Sequence, residues 1–466
     1  MKKDFNTLHR GSDNKFYFDD GTELKEMFPQ EEWNCPEAYQ FAGIRGYEPM
    51  TAKELETEEQ QDEKLLSGEY FLEEKFDGTR ALVYFFSQDC IESGDVVDQI
   101  GWCRVFSRRI SKKTNFYAEN SNSVPQIRDI NVPELDGTIL DGEMFINGLP
   151  FKEVSSTLNC LWDKAVDRQI EKGFISLHAF DILFYKGIDL RKMTLEKRKK
   201  YLKFAVEEAD SPYIELVDYQ SCGQKISTLP YEHTHGDLND IHYNLSMFKK
   251  ADSYPNFYKE ISESDGNCHS LSPRAFYEYI VATGGEGLIV KPKNGKYLHK
   301  RGWEYSKIKA FLTREMIVMG FSEPTREYSG KTPKDWCYFE GDTPVTKHYY
   351  NKQVGNLRLG VLIKCDDFEK IPKNKRGVCV TPSEVGIDLD TFATTNYVVM
   401  EVCECSGFDD DTRAYFTRNK DRMVGSVVEV KANGIMRDSG RLRHPRYLRI
   451  RTDKNAEQCT WEDHIQ

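Results

Sequence analysis

No apolar run in the 466-residue chain approaches the roughly 18 residues that a membrane-spanning helix needs. A transmembrane helix is therefore excluded, and no membrane partner is expected. The N-terminal stretch MKKDFNTLHRGSDNKF has no apolar segment, so no secretory signal is expected there. The 12 cysteines lack regular spacing. They read as reduced thiols in a cytoplasmic protein (host-cell cytoplasm for a viral chain), not as a disulfide framework. The one close pair, Cys403 and Cys405, has no second ligand pair to make a metal site. No internal repeat and no low-complexity tract is visible. An overall basic charge is also missing, since the net charge is −12. That balance alone argues against nucleic acid, but phosphate contacts need only a local basic face. Such a face exists: between Met436 and Lys454 there are six arginines and one lysine against two aspartates.

What is present suggests at least two domains. Residues 1–47 are polar and dotted with aromatics, and read as a short N-terminal extension of open fold. A charged helical stretch is expected over 52–66. Strand-like runs follow in EYFLEEKFDGTRALVYFF, WCRVFSRR, TILDGEMFI, FISLHAFDILFY and GLIVKP, with a helical piece, TLEKRKKYLKFAVEEA, at 194–209. This is a mixed α+β pattern with antiparallel strands. Residues 211–270, rich in Ser, Asp, Asn, His and Tyr, read as a surface insertion. From about residue 312 the segments EMIVMGFS, NLRLGVLIKC, TNYVVMEVCECSGF, MVGSVVEVKANGI and RYLRIRT are strand-like, with little helical signal. They predict a small, partly open barrel of about five strands, the size of an OB-fold. The expected division is 48–311 and 312–466.

The stretch EEKFDGTR (73–80) places Lys75 just before an apolar strand. A surface lysine is a poor nucleophile at neutral pH, but burial or nearby cations expose its lone pair. Alone, this stretch is a solvated turn. Downstream, LDGEMF puts Asp141 and Glu143 on one strand face, able to hold a ribose hydroxyl or a divalent cation. HAFDILFYKG offers Phe180 as a stacking ring. GGEGLIVKP supplies Glu286 and Lys291, and WEYSKIKAF presents Lys307 and Lys309 on one face, suited to a polyphosphate. Each signal alone has a bland reading as a turn, a core ring or a solvated face; their joint order does not. HTHGD (233–237) lacks a third ligand and reads as a solvated loop.

In that order the chain resembles the covalent nucleotidyltransferases and, within them, the ATP-dependent DNA ligases, of a compact type similar to viral and phage enzymes. The resemblance covers roughly residues 48–456. It rests on GYEPMTAK, EEKFDGTR, FSRR, LDGEMF, FDIL, EGLIVK, SKIK and the terminal GRLRHPRYLRIRTDK. It implies an adenylation domain followed by an OB-fold barrel, with ATP and Mg²⁺ (or Mn²⁺) used to seal nicks in duplex DNA as a monomer. Residue by residue, it implies that Lys75 attacks the α-phosphate of ATP to form lysyl-AMP. Glu73 would meet the adenine amino group, Phe180 would stack on the ring, and Arg80 and Glu143 would bind the ribose. Glu286, with Glu143, would place the metal. Lys291, Lys307 and Lys309 would hold phosphates, and Arg108 would meet AMP or the 5′-phosphate at the nick. Arg451 and Lys454, in RTDK, would orient the pyrophosphate.

The sequence departs from the larger cellular ligases. Residues 1–47 are too few for their helical DNA-binding domain, and the 106-residue gap from Phe180 to Glu286 is long, in keeping with an insertion that could help encircle DNA. An RNA ligase shares most nucleotide-pocket signals, and the terminal RHPRYLRIRTDK argues against it. A capping guanylyltransferase would use GTP, and a catalytically dead binding module would not need the intact lysine and phosphate positions.

Overall fold

The computed structural model describes residues 3–25, 48–92, 95–110, 117–228, 254–263, 269–328, 338–388, 396–436 and 439–465. The chain divides into two compact units, Met1–Lys309 and Ala310–Gln466.

The first unit is built on two sheets. The larger has seven strands in the order Ile188–Asp189, Ser176–Tyr185, Ile139–Phe145, Thr79–Glu92, Asp95–Ile110 and Tyr117–Glu119, with Ile214–Leu216 also pairing with Ser176–Tyr185. The apolar run ALVYFF is continuous because its strand is buried on both faces. Ala81, Val83 and Phe85 enter one core. Leu82, Tyr84 and Phe86 enter another, with Met50, Tyr297 and Tyr305. The smaller sheet has the order Tyr219–Ser221, Tyr70–Glu74, Gly287–Pro292, Arg301–Lys309 and Thr51–Glu54.

The helical stretch expected over 52–66 begins later. Thr51–Glu54 is a strand, parallel to Arg301–Lys309. The helix runs Glu58–Leu65, started by the Thr57 side chain, which accepts from the Gln60 N–H.

Within the N-terminal extension, residues 3–25 pack against the first unit. Residues 3–25 include a three-stranded meander whose Phe5, Leu8, Phe16, Phe18 and Leu24 pack on Val166, beside Trp162, Phe174 and Tyr213. The dotted aromatics form that small core. Of 211–270, the described parts supply Ile214–Leu216 and Tyr219–Ser221 to the two sheets. Phe257 and Ile261, from the helix Pro255–Glu263, join the core under the smaller sheet. Apolar residues inside a polar composition carry these contacts. HTHGD and the rest of 229–253 and 264–268 lie outside the described residues, as do 26–47.

The second unit is built on a six-stranded antiparallel sheet in the order Cys379–Val380, Tyr397–Cys405, Leu357–Lys364, Leu312–Phe321, Val427–Ala432 and Arg446–Ile450. Ser406 bridges Arg446, so the last strand reaches back to the end of Tyr397–Cys405. Five strands thereby curl into a small barrel around Val318, Leu359, Val361, Met400, Val428 and Val430. Helices are present as well, the longest described here being Asp410–Arg418, which seals the core with Phe416. No helix among the described residues is long and apolar enough to cross a membrane.

Candidate active site

A cavity of about 590 Å³ lies between the two sheets of the first unit. Glu73, Lys75, Ile289, Lys291, Tyr305 and Lys307 line it from the smaller sheet; Arg80, Ser107, Arg108, Glu143 and Phe180 line it from the larger.

Two glycines allow close backbone approach beside the cavity. A Cβ on Gly78 would fall 2.4 Å from the Met144 carbonyl oxygen. One on Gly142 would fall 2.7 Å from the His178 carbonyl oxygen and 2.8 Å from a Leu177 methyl. Gly142 thus faces its neighbouring strand closely, while Asp141 and Glu143 turn to the opposite face.

Lys75 follows directly on the strand Tyr70–Glu74, and its N–H donates to the Gly287 carbonyl at 2.9 Å. Its ammonium contacts the Glu286 carboxylate. Burial lowers the Lys75 pKa to about 8; Lys309 and Lys307 push the same way, against Glu143 and Asp77. At neutral pH about a tenth of such a lysine is unprotonated, far more than of a free one. Lys307 is itself lowered by burial and then by Lys309. It lies 4.0 Å from Glu54.

Arg80 pairs with the fully buried Asp141 through two bonds of 2.5 and 2.6 Å and donates to the Met50 carbonyl at 3.1 Å. Asp141 also accepts from the Tyr297 hydroxyl at 2.6 Å. Arg80 sits directly across from Glu143 in the strand register. Burial, helped by Asp141, raises the Glu143 carboxyl to about 7, against Arg80, Lys75 and Arg108. Lys75 and Glu143 therefore titrate close together, and they favour each other's charged form.

Two cations approach the Phe180 ring: the Arg80 guanidinium and the Lys291 ammonium each lie 4.3 Å from its centroid. Lys291 donates to Glu73 at 2.5 Å and lies 4.7 Å from the Tyr305 ring. It is buried, and burial lowers it to about 8. Arg108 is an exposed rim residue, and its neighbour Arg109 donates to Asn159 at 3.2 Å.

Arg451 and Lys454 belong to the second unit. Both contact the Glu315 carboxylate, and Arg451 also binds Asp453 at 2.7 and 2.8 Å. Sequence reasoning missed Glu315 as their shared partner.

It also missed a buried group on the helix Leu195–Ala209. Arg198 grips Asp181 through bonds of 2.8 and 2.9 Å and donates to the Met193 and Gly295 carbonyls. Tyr305 also donates to Asp181. Despite burial, these partners, Arg198 first, hold Asp181 down at about 2. Lys199, next in sequence, lies 2.6 Å from Glu73. A signal existed: Leu195, Arg198, Lys199, Leu202, Ala205 and Ala209 are the buried face of this helix, so two charges occupy core positions.

The family model of the ATP dependent DNA ligase domain matches residues 49–229. Among curated proteins, the chain is similar to DNA ligase 2 of Korarchaeum cryptofilum, 22% identical over 90% of this chain and 58% of that protein. It is similar to the DNA ligase of Saccharolobus solfataricus, 23% identical over the same shares. A shorter match, 33% identical, links 30% of the chain to 24% of the DNA ligase of Halorubrum lacusprofundi. The chain thus spans 58% of the length of the Korarchaeum and Saccharolobus relatives. Among solved structures it is similar to one described as a Lig E DNA ligase, with 16% identity, 86% of this chain and 98% of that one covered, and a TM-score of 0.45.

Proposed function

We propose that this chain, which carries an ATP dependent DNA ligase domain over residues 49–229, is an ATP-dependent DNA ligase that seals nicks in duplex DNA. The observation that carries the reading is Lys75: a lysine lowered to about 8 inside a cavity that also holds Arg80, the Glu143 carboxylate, the Phe180 ring and further lysines. With it goes the expectation of a monomer acting on nicked DNA in the cytoplasm, with 48–311 as the adenylation domain and 312–466 as the barrel domain.

In the proposed first step, the neutral Lys75 amine attacks the α-phosphorus of ATP. A nitrogen–phosphorus bond forms, the bond to the β-phosphate oxygen breaks, and pyrophosphate departs with the electron pair. Lys307 and Lys309 have two uses in this scheme. They favour the neutral amine, and they offer positive charge to phosphate oxygens. Phe180 supplies a stacking face, and Arg80, oriented by Asp141, is set to meet the ribose beside Glu143. Arg451 and Lys454 are assigned to the leaving pyrophosphate, and Arg108 to AMP or the 5′-phosphate. The AMP then passes to the 5′-phosphate of a nick, and the 3′-hydroxyl displaces it.

No group of three or more metal-ligating side chains occurs among the described residues. That fits Mg²⁺ or Mn²⁺, which need only one or two carboxylates when substrate phosphates and water complete the shell. Glu286 and Glu143 would hold such an ion, and it would draw charge from the triphosphate.

The test is one incubation of the protein with ATP, Mg²⁺ and a duplex carrying a single 5′-phosphorylated nick, read on a denaturing gel. A joined strand that vanishes with Lys75→Ala supports the reading. AMP bound to Lys75 without any joined DNA would move the substrate to RNA.

A further inference from the structure

A second cavity, of about 570 Å³, lies wholly within the barrel unit. It is close in size to the 590 Å³ cavity around Lys75. None of the residues assigned to adenylation lines it. Its walls come from the connection between the strands Leu312–Phe321 and Leu357–Lys364, together with Thr417 and Lys420. That connection has a structure of its own. Tyr338–Glu340 and Thr343–Val345 form a hairpin, and the short helix Lys347–Tyr350 follows. The Tyr328 N–H donates to the Pro344 carbonyl at 3.1 Å and the Thr346 N–H to the Arg326 carbonyl at 2.9 Å, which ties the flanking segment to the hairpin. The buried Val345 and Val354 give the cavity an apolar floor.

Rings and cations share this cavity. Phe339 and Tyr350 line it and are each 53% exposed. Tyr350 is stacked on Tyr338, with centroids 4.6 Å apart and planes at 20°. Tyr349 lines it as well, with the Arg326 guanidinium 5.9 Å from its ring. One exposed ring is ordinary, but three around one cavity mark a binding surface. Lys352 and Lys420 supply two ammonium groups, and neither has a carboxylate partner among the described residues. Lys352 follows the helix in a left-handed conformation, φ 51°, and its N–H donates to the Tyr349 carbonyl at 3.0 Å, so the helix end fixes where it stands. Of the two acids on the lining, Glu340 is taken by Arg326 at 2.8 and 3.0 Å, which leaves Glu323. Cations therefore prevail.

Flat rings beside free ammonium groups are the chemistry that holds a nucleotide. Any base can stack on a ring, and its phosphate pairs with lysine. An apolar peptide would use the rings alone, and a basic one would meet two like charges. A base within a duplex keeps both faces covered by its neighbours, so only an unpaired base can use these rings.

We propose that this cavity is a second nucleotide site, which takes one unpaired base against Phe339, Tyr349 and Tyr350 and an adjoining phosphate at Lys352 and Lys420. A single strand and a free mononucleotide offer the same chemistry, and the two arms of the experiment separate them. The site goes beyond the sealing of nicks and does not rest on it.

The experiment uses the full chain and three probes: a fluorescent single-stranded oligothymidylate with a 5′-hydroxyl, an intact duplex, and AMP in equilibrium dialysis. Phe339→Ala combined with Tyr350→Ala is expected to raise the Kd for the single strand about tenfold and to leave that for the duplex unchanged. That result assigns the cavity to a strand. Loss of one AMP site per chain, with strand binding intact, assigns it to a free mononucleotide. Unchanged binding of both overturns the proposal and leaves the rings to a protein partner. Equal weakening of strand and duplex overturns it too, since a general loss of DNA contact is no base site. Should the ring variant fail to fold in a thermal melt, Lys352→Met combined with Lys420→Met decides. It is expected to weaken strand binding and to lower the slope of log Kd against log salt by about 1. An unchanged slope overturns the proposal. Wild-type protein that forms no covalent AMP would overturn the ligase reading and leave this inference standing, because strand and AMP binding are read without chemistry.

Discussion

Lys75, just past the end of Tyr70–Glu74, and Lys291, on the neighbouring strand, line one cavity and are both lowered to about 8 by burial. They differ in company. Lys291 is almost wholly buried, paired to Glu73 and enclosed by the Phe180 and Tyr305 rings. Lys75 keeps a fifth of its side chain exposed, beside Glu286, with Lys307 and Lys309 lowering it further. The same shift therefore marks two different jobs. A perturbed pKa points to a site, and access to the cavity decides which group can react.

The sharpest way to break this contrast is to remove each amine. Lys75→Ala is expected to abolish covalent AMP on the protein, seen as loss of the labelled band. Lys291→Met should leave that chemistry in place and lower kcat/KM about tenfold through KM, because it disturbs Glu73 and Phe180 rather than the attacking atom. Equal total loss in both would erase the distinction.

Next in size is the platform beneath Lys291. Arg198→Met leaves the carboxylate of Asp181 buried without its cation, and is expected to destabilise the first unit by about 3–5 kcal/mol in urea unfolding. A change under about 1 kcal/mol would mean that Tyr305 alone suffices.

The barrel offers a third test. Replacing Arg451 or Lys454 by Ala should slow self-adenylation about a hundredfold while sparing the sealing of pre-adenylated nicks. Equal failure at both steps would limit these residues to the Glu315 ion pair that the structure shows.

The smallest effect is a shift in pH. Attack needs the neutral amine, so self-adenylation should rise with pH and level off above about 8. Lys307→Met removes a cation, raises the Lys75 pKa and should move the inflection up. Glu143→Gln removes an anion that favours the charged amine and should move it down. Shifts in the same direction would show that the inflection belongs to another group.

Much of this was legible in the chain. Period-two apolar patterns announced the barrel strands, and the helix Leu195–Ala209 was visible in TLEKRKKYLKFAVEEA. Of the motif residues, Glu73, Lys75, Arg80, Arg108, Glu143, Phe180, Lys291 and Lys307 line one cavity, because strand neighbours two apart keep a fixed direction. The strand Thr51–Glu54 was hidden in a charged stretch, since its identity comes from pairing with Arg301–Lys309, some 250 positions away. The meander within residues 3–25 was hidden for the same reason: its rings make sense only against Val166 and Trp162.

Local chemistry is written in the order of residues, and so the lysine, the carboxylates, the stacking ring and the two fold types could be named from it. Partnership is not. That Arg80 belongs to Asp141, that Lys291 and Lys199 share Glu73, and that Arg451 and Lys454 share Glu315 depends on chain segments distant in sequence. A charged helix looks solvated until packing buries one face of it. Burial then forces each charge to find a partner, and only the folded chain says which one is in reach.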